Sequence, residues 1–105
     1  MTIKDLIINK AQQSNCCYRI AAIGLNRKGE IVAVSINQHR FPHHGGGIHA
    51  EMVLMRKHPK SLRKIIIGRI GRSNELRPIS PCSSCYKKSL ELGIKIIAIK
   101  PDYDY

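Results

Sequence analysis

The stretch KIIIGRI, residues 64–70, is rich in isoleucine and has the pattern of a buried β-strand. A helix is predicted before it, from about residue 48 to 58, and another after it, from about 82 to 92. The segment IKIIAIK (94–100) then predicts a further strand. Strands that alternate with helices in this way are joined by right-handed crossovers and pair in parallel.

The N-terminal part of the chain has a different pattern, one helix followed by two neighbouring strands. Residues 2–14 are predicted to be helical, because Thr2 and Asp5 fit a capping box ahead of an apolar face. The segments YRIAAIGL (18–25) and EIVAVSIN (30–37) predict strands. The short glycine-containing turn between them indicates an antiparallel hairpin.

The segment QHRFPHHGGG (38–47) is predicted to hold no regular structure, because Pro42 and three glycines interrupt it. The order of elements is therefore α-β-β-α-β-α-β. A hairpin joined to parallel crossovers gives a mixed sheet. Helices on both of its faces would make a three-layer α/β/α sandwich.

The size of the chain, 105 residues and 11.8 kDa, predicts a single domain over residues 1–105. No apolar run reaches the roughly 20 residues of a membrane span. The N-terminal segment MTIKDLIINK does not fit a secretory signal peptide, so a cytoplasmic location is expected. A domain this small buries a limited share of its surface, and a homo-oligomer is expected for that reason.

The charge of the chain is strongly positive, with 18 lysines and arginines against 7 acidic residues and a net charge of +11. Such an excess produces a positive field that concentrates anionic partners. Phosphate-bearing small molecules and single-stranded nucleic acid are both compatible with it. The charge alone does not choose between them.

Two short motifs stand at the starts of the second and third predicted helices: His49-Ala50-Glu51, and PCSSC at residues 81–85. In a sheet of this kind both helices start at the same end, where ligands gather. Without a signal peptide the cysteines are expected to serve metal binding or catalysis rather than disulfides. Cys82, Cys85 and His49 supply three of the four ligands of a tetrahedral zinc. Three protein ligands leave room for water, as in catalytic zinc sites.

Glu51 follows His49 by two residues and can approach a zinc-bound water without ligating the metal. Zinc lowers the pKa of such a water toward ~7. A carboxylate in this place can take a proton from the water and return it to a leaving group.

The motifs H-x-E and P-C-x-x-C in this order resemble the cytidine deaminase superfamily, which includes cytidine, deoxycytidylate, tRNA and DNA deaminases. The resemblance covers nearly the whole chain, since the order of elements matches the family core. It implies that His49, Cys82 and Cys85 bind Zn²⁺ and that Glu51 is the catalytic proton shuttle. The implied reaction is hydrolysis of the amine of cytosine, with release of ammonia.

The resemblance also implies contacts with the substrate. The backbone N–H of Ala50 would bind the pyrimidine carbonyl, and the carbonyl of Ser80 would accept from the exocyclic amine. Asn37 matches the asparagine of the family that binds the sugar.

The residues after Asn37 depart from the nucleoside deaminases, which usually have a glutamate two positions later. Here His39 occupies that position and Arg40 follows it. Imidazole and guanidinium groups attract a phosphate, which favours a nucleotide or a strand over a free nucleoside. Phe41, in the same loop, is a candidate for stacking on a base, with packing under the glycine loop as an equal alternative.

A second, structural metal site is an alternative for the remaining cysteines and the loop histidines. The residues concerned are Cys16, Cys17, His43 and His44. The favoured interpretation is that the histidines are exposed and the thiols buried.

The sequence thus predicts a zinc-dependent hydrolytic deaminase of a small cytosine nucleoside or nucleotide. One alternative is a deaminase that acts on bases in single-stranded DNA or RNA. A second is a catalytically inactive zinc module that binds nucleic acid, although such a module would have no use for Glu51.

Overall fold

The computed structural model describes residues 2–14, 19–39, 47–79 and 83–99, and within them the predicted order of helices and main strands is confirmed. Three helices and seven strands occur in these ranges. They are α1 (Ile3–Ala11), β1 (Arg19–Leu25), β2 (Ile31–Ile36), β3 (Gln38–His39), β4 (Gly47–Ile48), α2 (Ala50–Lys57), β5 (Lys64–Ile70), β6 (Leu76–Arg77), α3 (Ser83–Leu92) and β7 (Lys95–Ala98).

The predicted mixed sheet is present, with β5 at its centre. β1 pairs antiparallel with both β2 and β5, and β7 pairs parallel with the first half of β5. The short β6 pairs antiparallel with the last two residues of β5. The hairpin and the β5–α3–β7 crossover therefore have the predicted directions.

Helices cover both faces of this sheet, which confirms the three-layer α/β/α sandwich. Alternate residues of β1 point to opposite sides. Ala21 and Ile23 join the cluster that packs against α1, whereas Ala22 joins the cluster that packs against α2 and α3. In β5 the same alternation separates Ile66 from Ile65 and Ile67.

The start of α1 forms as the sequence predicts. The Asp5 backbone N–H donates to the Thr2 hydroxyl at 3.1 Å, and the Asp5 carboxylate accepts from the Thr2 N–H at 3.4 Å. This capping box satisfies two groups that the first turn leaves without helical partners.

The fit between α1 and the sheet requires a glycine at position 68. A Cβ atom there would lie 2.5 Å from Cγ2 of Ile7 and 2.7 Å from Cγ2 of Ile99. The Cγ2 atom of isoleucine is fixed close to the backbone, so neither neighbour can move aside easily. The glycine in KIIIGRI thus sets how closely α1 approaches the sheet.

The prediction that residues 38–47 hold no regular structure is wrong at both ends of the segment. Gln38 pairs with Ile48 and His39 with Gly47, in a two-stranded antiparallel ladder. A loop whose ends meet can close on a short ladder even when Pro and Gly occupy its interior. Pro42 itself lies outside the described residues.

A second difference is the short strand β6, which occupies part of the predicted loop 71–81. Gly71 accepts from Asn74 N–H at 3.0 Å and donates to the Glu75 carbonyl at 2.8 Å. Asn74 adopts the left-handed conformation that this turn needs, with φ of 62°.

None of the described helices is long and apolar enough to cross a membrane.

Candidate metal centre and active site

The first turn of α2 places three predicted site residues next to one another. His49 is the N-cap residue, with extended backbone, and its carbonyl accepts from the Val53 N–H at 3.1 Å. Ala50 and Glu51 follow as the first two helical residues, and both are buried. A carboxylate in the first turn is favoured by the partial positive charge of the helix N-terminus.

The third helix brings a cysteine to the same place. Cys85 lies in the first turn of α3 and is 1 % exposed. Its Sγ atom is 3.5 Å from Nδ1 of His49, although 36 positions separate the two residues. The structure thus brings together His49 and Cys85, as the sequence predicts.

Glu51 belongs to the same group. One ligand atom each from His49, Glu51 and Cys85 lies within 4.8 Å of the other two. The Glu51 residue is only 4 % exposed, and it is the one buried carboxylate among the described residues. Carboxylates are almost never fully buried without a partner, so this position indicates a functional role.

The donor set and its spacing fit a zinc ion. Two ligands of a tetrahedral zinc, with Zn–N and Zn–S bonds of about 2.05 and 2.3 Å, lie about 3.6 Å apart. The observed Nδ1–Sγ separation of 3.5 Å is close to this value. Imidazole and thiolate are also the ligand types that zinc prefers. Cys82, the other predicted thiolate ligand, lies outside the described residues.

Asn37 is buried at the end of β2, where it joins three parts of the chain. Its Oδ1 atom accepts from the Ile20 N–H at 2.9 Å and lies 2.7 Å from the Ser14 hydroxyl. Because a backbone N–H can only donate, the amide oxygen must face Ile20. The Nδ2 atom is the donor side of this amide.

The remaining predicted contacts are less fully described. His39 lies in β3, two residues after Asn37. The other predicted residues fall outside the described ranges; they are Arg40, Phe41 and Ser80, and the candidates for a second metal, Cys16, Cys17, His43 and His44. Their predicted roles stay predictions.

Charged groups also lie on the β5–β6 hairpin, which leads toward α3. Arg77 and Glu75 form an ion pair at 2.9 Å, and the Arg19 guanidinium donates to the Gly71 carbonyl. Hydrogen bonds from the backbone N–H of Glu75 itself, and then the charge of Arg77, hold the pKa of Glu75 below its ordinary value of 4.5. The carboxylate of Glu75 therefore stays ionised at neutral pH.

A family model described as "Cytidine and deoxycytidylate deaminase zinc-binding region" matches residues 1–100. The chain belongs to this family. The predicted resemblance to the cytidine and deoxycytidylate deaminases is thereby confirmed. No match is found among curated protein sequences.

Solved cytidine deaminases are similar in structure. The chain is 18 % identical to the enzyme from Burkholderia pseudomallei, with a TM-score of 0.67, over 97 % of this chain and 89 % of that one. It is 13 % identical to the enzyme from Mycobacterium leprae, with a TM-score of 0.65, over 90 % and 83 % of the two chains. For the enzyme from Mycobacterium tuberculosis the identity is 16 % and the TM-score 0.59, over 96 % and 87 %. At these identities the similarity shows a shared fold.

Membership of this deaminase family also bears on the metal. The matched region is a zinc-binding one, and the His/Glu/Cys group fits that ion. The prediction of Zn²⁺ as the cofactor is confirmed.

Two serines that contact the candidate site were not predicted from the sequence. The Ser35 hydroxyl, on β2, donates to the Ala50 carbonyl at 2.6 Å and so ties the first turn of α2 to the sheet. Ser14, just after α1, contacts the Asn37 side chain. Ser35 is a polar residue within the apolar strand segment EIVAVSIN. This interruption was the sequence signal that could have indicated its role.

Proposed function

We propose that this protein is a zinc-dependent hydrolytic deaminase that converts the cytosine of a small nucleoside or nucleotide to uracil and ammonia. The proposal covers residues 1–105 as one deaminase-like domain. The observation that carries it is the group formed by His49, Glu51 and Cys85. A metal-ligating pair at 3.5 Å stands beside a buried carboxylate, at the starts of two helices. A structural zinc site has no need for that carboxylate.

His49, Cys82 and Cys85 would hold the zinc ion in this proposal. When bound, zinc lowers the pKa of a water molecule toward ~7, so that the water is nucleophilic at neutral pH. The burial of Cys85 limits the access of solvent to the thiolate. Low exposure of Glu51 and Cys85 strengthens their electrostatic interactions, whereas His49 is exposed.

Glu51 moves the protons. Its carboxylate takes a proton from the attacking water and delivers it to the ring nitrogen, which makes the amine-bearing carbon electrophilic. Glu51 then takes the second proton of this water from the new hydroxyl group and passes it to the amine, which leaves as ammonia. The bond from carbon to oxygen forms and the bond from carbon to the amine nitrogen breaks, with no change in oxidation state.

Backbone and amide groups orient the substrate. The Ala50 N–H would donate to the pyrimidine carbonyl, and the Ser80 carbonyl would accept from the amine. The hydrogen bond from Ser35 to the Ala50 carbonyl supports this role, because it fixes the first turn of α2. Asn37 would use its Nδ2 donor on the sugar.

His39, Arg40 and Phe41 bear on the choice between nucleoside and nucleotide. His39 stands in place of a carboxylate and Arg40 follows, so a monophosphate is favoured over a free nucleoside. Phe41 would stack on the base. Self-association and a cytoplasmic location stay predictions.

The test measures zinc content and ammonia release on the same protein preparations. The substrates are cytidine, deoxycytidine, their monophosphates and single-stranded oligonucleotides. About one zinc per chain is expected, with ammonia released from the small substrates. Oligonucleotides as the preferred substrate would favour the strand deaminase instead.

His49→Ala and His58→Ala form a matched pair for this test, because the two histidines flank the same helix α2. His49 is the N-cap residue and His58 the C-cap residue. His49→Ala should lose zinc and activity, whereas His58→Ala should keep both. Full zinc content in His49→Ala would contradict the assignment of the metal site.

A further inference from the structure

Basic side chains collect at the end of the sheet opposite the candidate site. Backbone hydrogen bonds join the elements there: Arg63 N–H donates to the Leu25 carbonyl at 2.9 Å, and Lys95 N–H donates to the Arg63 carbonyl at 3.0 Å. Lys64 is aligned with Leu25 on one side and with Lys95 on the other. The end of β1, the starts of β5 and β7 and the loop after α2 therefore form one surface.

We call this surface the basic edge and define it by its exposed cations. They are Arg27, Lys28, Arg56, Lys57, Lys60, Arg63, Lys64 and Lys95. The described residues at this end of the sheet, 26–31, 56–64 and 90–95, carry two carboxylates, Glu30 and Glu91. Glu91 is paired with Lys88 at 3.8 Å. Eight cations against two carboxylates leave a strong local excess of positive charge.

At one pair of residues this excess opposes the stability of the fold. Lys64 and Lys95 are direct partners across β5 and β7. Like charges placed opposite each other in a sheet are destabilising. Local stability rules are broken mainly at functional positions, so this pair favours a binding function for the surface.

The basic edge lies at the start of β5, whereas α3 follows the other end of this strand. β5 runs from Lys64 at the basic edge to Ile70 at the other end, and its seven residues span about 20 Å. Eight exposed cations on three chain segments are more than the single phosphate of a mononucleotide can contact. The charge therefore has a partner other than the monophosphate discussed above.

The chemistry of the edge indicates what that partner is. The side chains are flexible lysines and arginines, and Arg63 is held in place by donation from Nη1 to the carbonyls of Lys60, at 3.2 Å, and Leu62, at 3.0 Å. No Phe, Tyr or Trp lies in residues 26–30, 56–64 or 93–95, so stacking of bases on these large rings is not available in these described segments. We propose that the basic edge binds the phosphate backbone of nucleic acid, without base specificity, apart from the deamination site.

The test compares two variants of the full chain with the same net charge. The edge variant replaces Lys57, Lys60, Lys64 and Lys95 by Gln. The scattered variant also replaces four cations by Gln, but these cations lie outside the basic edge. They are Lys10, Arg72, Lys87 and Lys88. Binding to a mixed-sequence single-stranded 20-mer is measured by fluorescence anisotropy from about 50 to 200 mM salt, the range over which phosphate contacts weaken steeply.

The edge variant should lose at least about 30-fold in affinity, and the slope of log K against log salt should become shallower by about 3, since each phosphate contact on a single strand contributes about 0.7. The scattered variant should stay within about threefold of the wild type, because its charges lie outside the cluster. Equal losses in the two variants would mean that only net charge acts, and would overturn the proposal.

Two further measurements complete the test. Thermal melting checks folding, and the edge variant should be at least as stable as the wild type because the Lys64–Lys95 repulsion is removed. Vesicles of phosphatidylserine and phosphatidylcholine serve as a second probe. Binding to the vesicles that exceeds binding to the oligonucleotide would identify a membrane surface as the partner and overturn the proposal. The result does not depend on deaminase activity, so it stands apart from the proposed function.

Discussion

The two ends of the central sheet differ in the solvent exposure of their polar side chains. At one end, Glu51, Cys85 and Asn37 are 4 %, 1 % and 9 % exposed. Asn37 Oδ1 accepts from the Ile20 N–H at 2.9 Å, and ligand atoms of Glu51 and Cys85 lie within 4.8 Å of each other. At the other end, the eight cations of the basic edge are exposed to solvent. The same strands, running between the two ends, thus separate a buried polar cluster from an open charged surface.

This difference predicts how each end responds to change. Interactions between buried groups are strong and depend on small displacements, because little water screens them. Exposed charges act together over longer distances and are screened by salt, with a Debye length of about 8 Å at physiological ionic strength. Single substitutions should therefore have large effects on activity at the candidate site. At the basic edge, binding should depend mainly on the salt concentration and on the number of charges removed.

The largest expected effect is that of Glu51→Gln. The amide keeps the size of the side chain but cannot take a proton from water. We expect kcat for the best small substrate to fall by about 10²- to 10⁴-fold, the usual contribution of a general acid–base group. Zinc content should change little, because Glu51 is not a proposed ligand. Steady-state ammonia release and metal analysis measure the two quantities.

Glu30→Gln is the matched control at the basic edge. Glu30 is exposed on the β1–β2 turn, where its Oε1 accepts from Asn26 Nδ2 at 3.2 Å. The same chemical change there should alter kcat by less than about twofold, as expected of a surface substitution. If both variants had similar activity, the contrast between the two ends would fail, and Glu51 would not be the proton shuttle.

The sequence predicted the parts of this contrast that depend on local patterns. The capping box of α1 depends on residues three positions apart, and the bounds of β5 were predicted correctly from its isoleucines. The grouping of His49, Glu51 and Cys85 was also predicted, because their motifs stand at the starts of two helices. In each case the signal lies within a few residues of chain.

The supporting hydrogen bonds could not be predicted in this way. Ser14 and Asn37 are 23 positions apart, and Ser35 and Ala50 are 15 apart. A single serine in a strand or after a helix has no preferred distant partner until the sheet register is known. The basic edge could not be predicted for the same reason, since Lys64 and Lys95 become neighbours only when β5 and β7 pair.

A smaller effect separates the structural role of Asn37 from its proposed substrate role. Asn37→Ala and Ser14→Ala both remove the contact between the two side chains, so each should lower the free energy of unfolding by about 1 kcal/mol or more. Only Asn37→Ala also removes the Nδ2 donor. It should therefore raise KM for nucleosides by about tenfold, whereas Ser14→Ala should leave KM within about twofold.

Denaturant unfolding and steady-state kinetics on both variants measure these changes. Equal KM values in the two variants, with equal loss of stability, would assign Asn37 a purely structural role. The pair is informative because Asn37→Ala alone changes both the fold and the site.

The smallest expected effect concerns Glu75. This exposed carboxylate has a close ion-pair partner, in contrast with the cations of the basic edge. Its side chain is 41 % exposed and pairs with Arg77 at 2.9 Å. Because the pKa of Glu75 is lowered on folding, its contribution to stability is fully present above the unfolded value near 4.5 and is lost as the pH falls through the lower folded value. Glu75→Gln should therefore be less stable than the wild type at neutral pH, and the difference should vanish in acid.

Arg77→Gln tests the cause of this pH dependence. The backbone hydrogen bond of Glu75 lowers its pKa more than the charge of Arg77 does. Most of the acid-sensitive stability should therefore survive in Arg77→Gln and disappear only in Glu75→Gln. Urea unfolding at several pH values measures both variants. If Arg77→Gln abolished the whole effect, the ion pair rather than the turn would hold the carboxylate in its charged form.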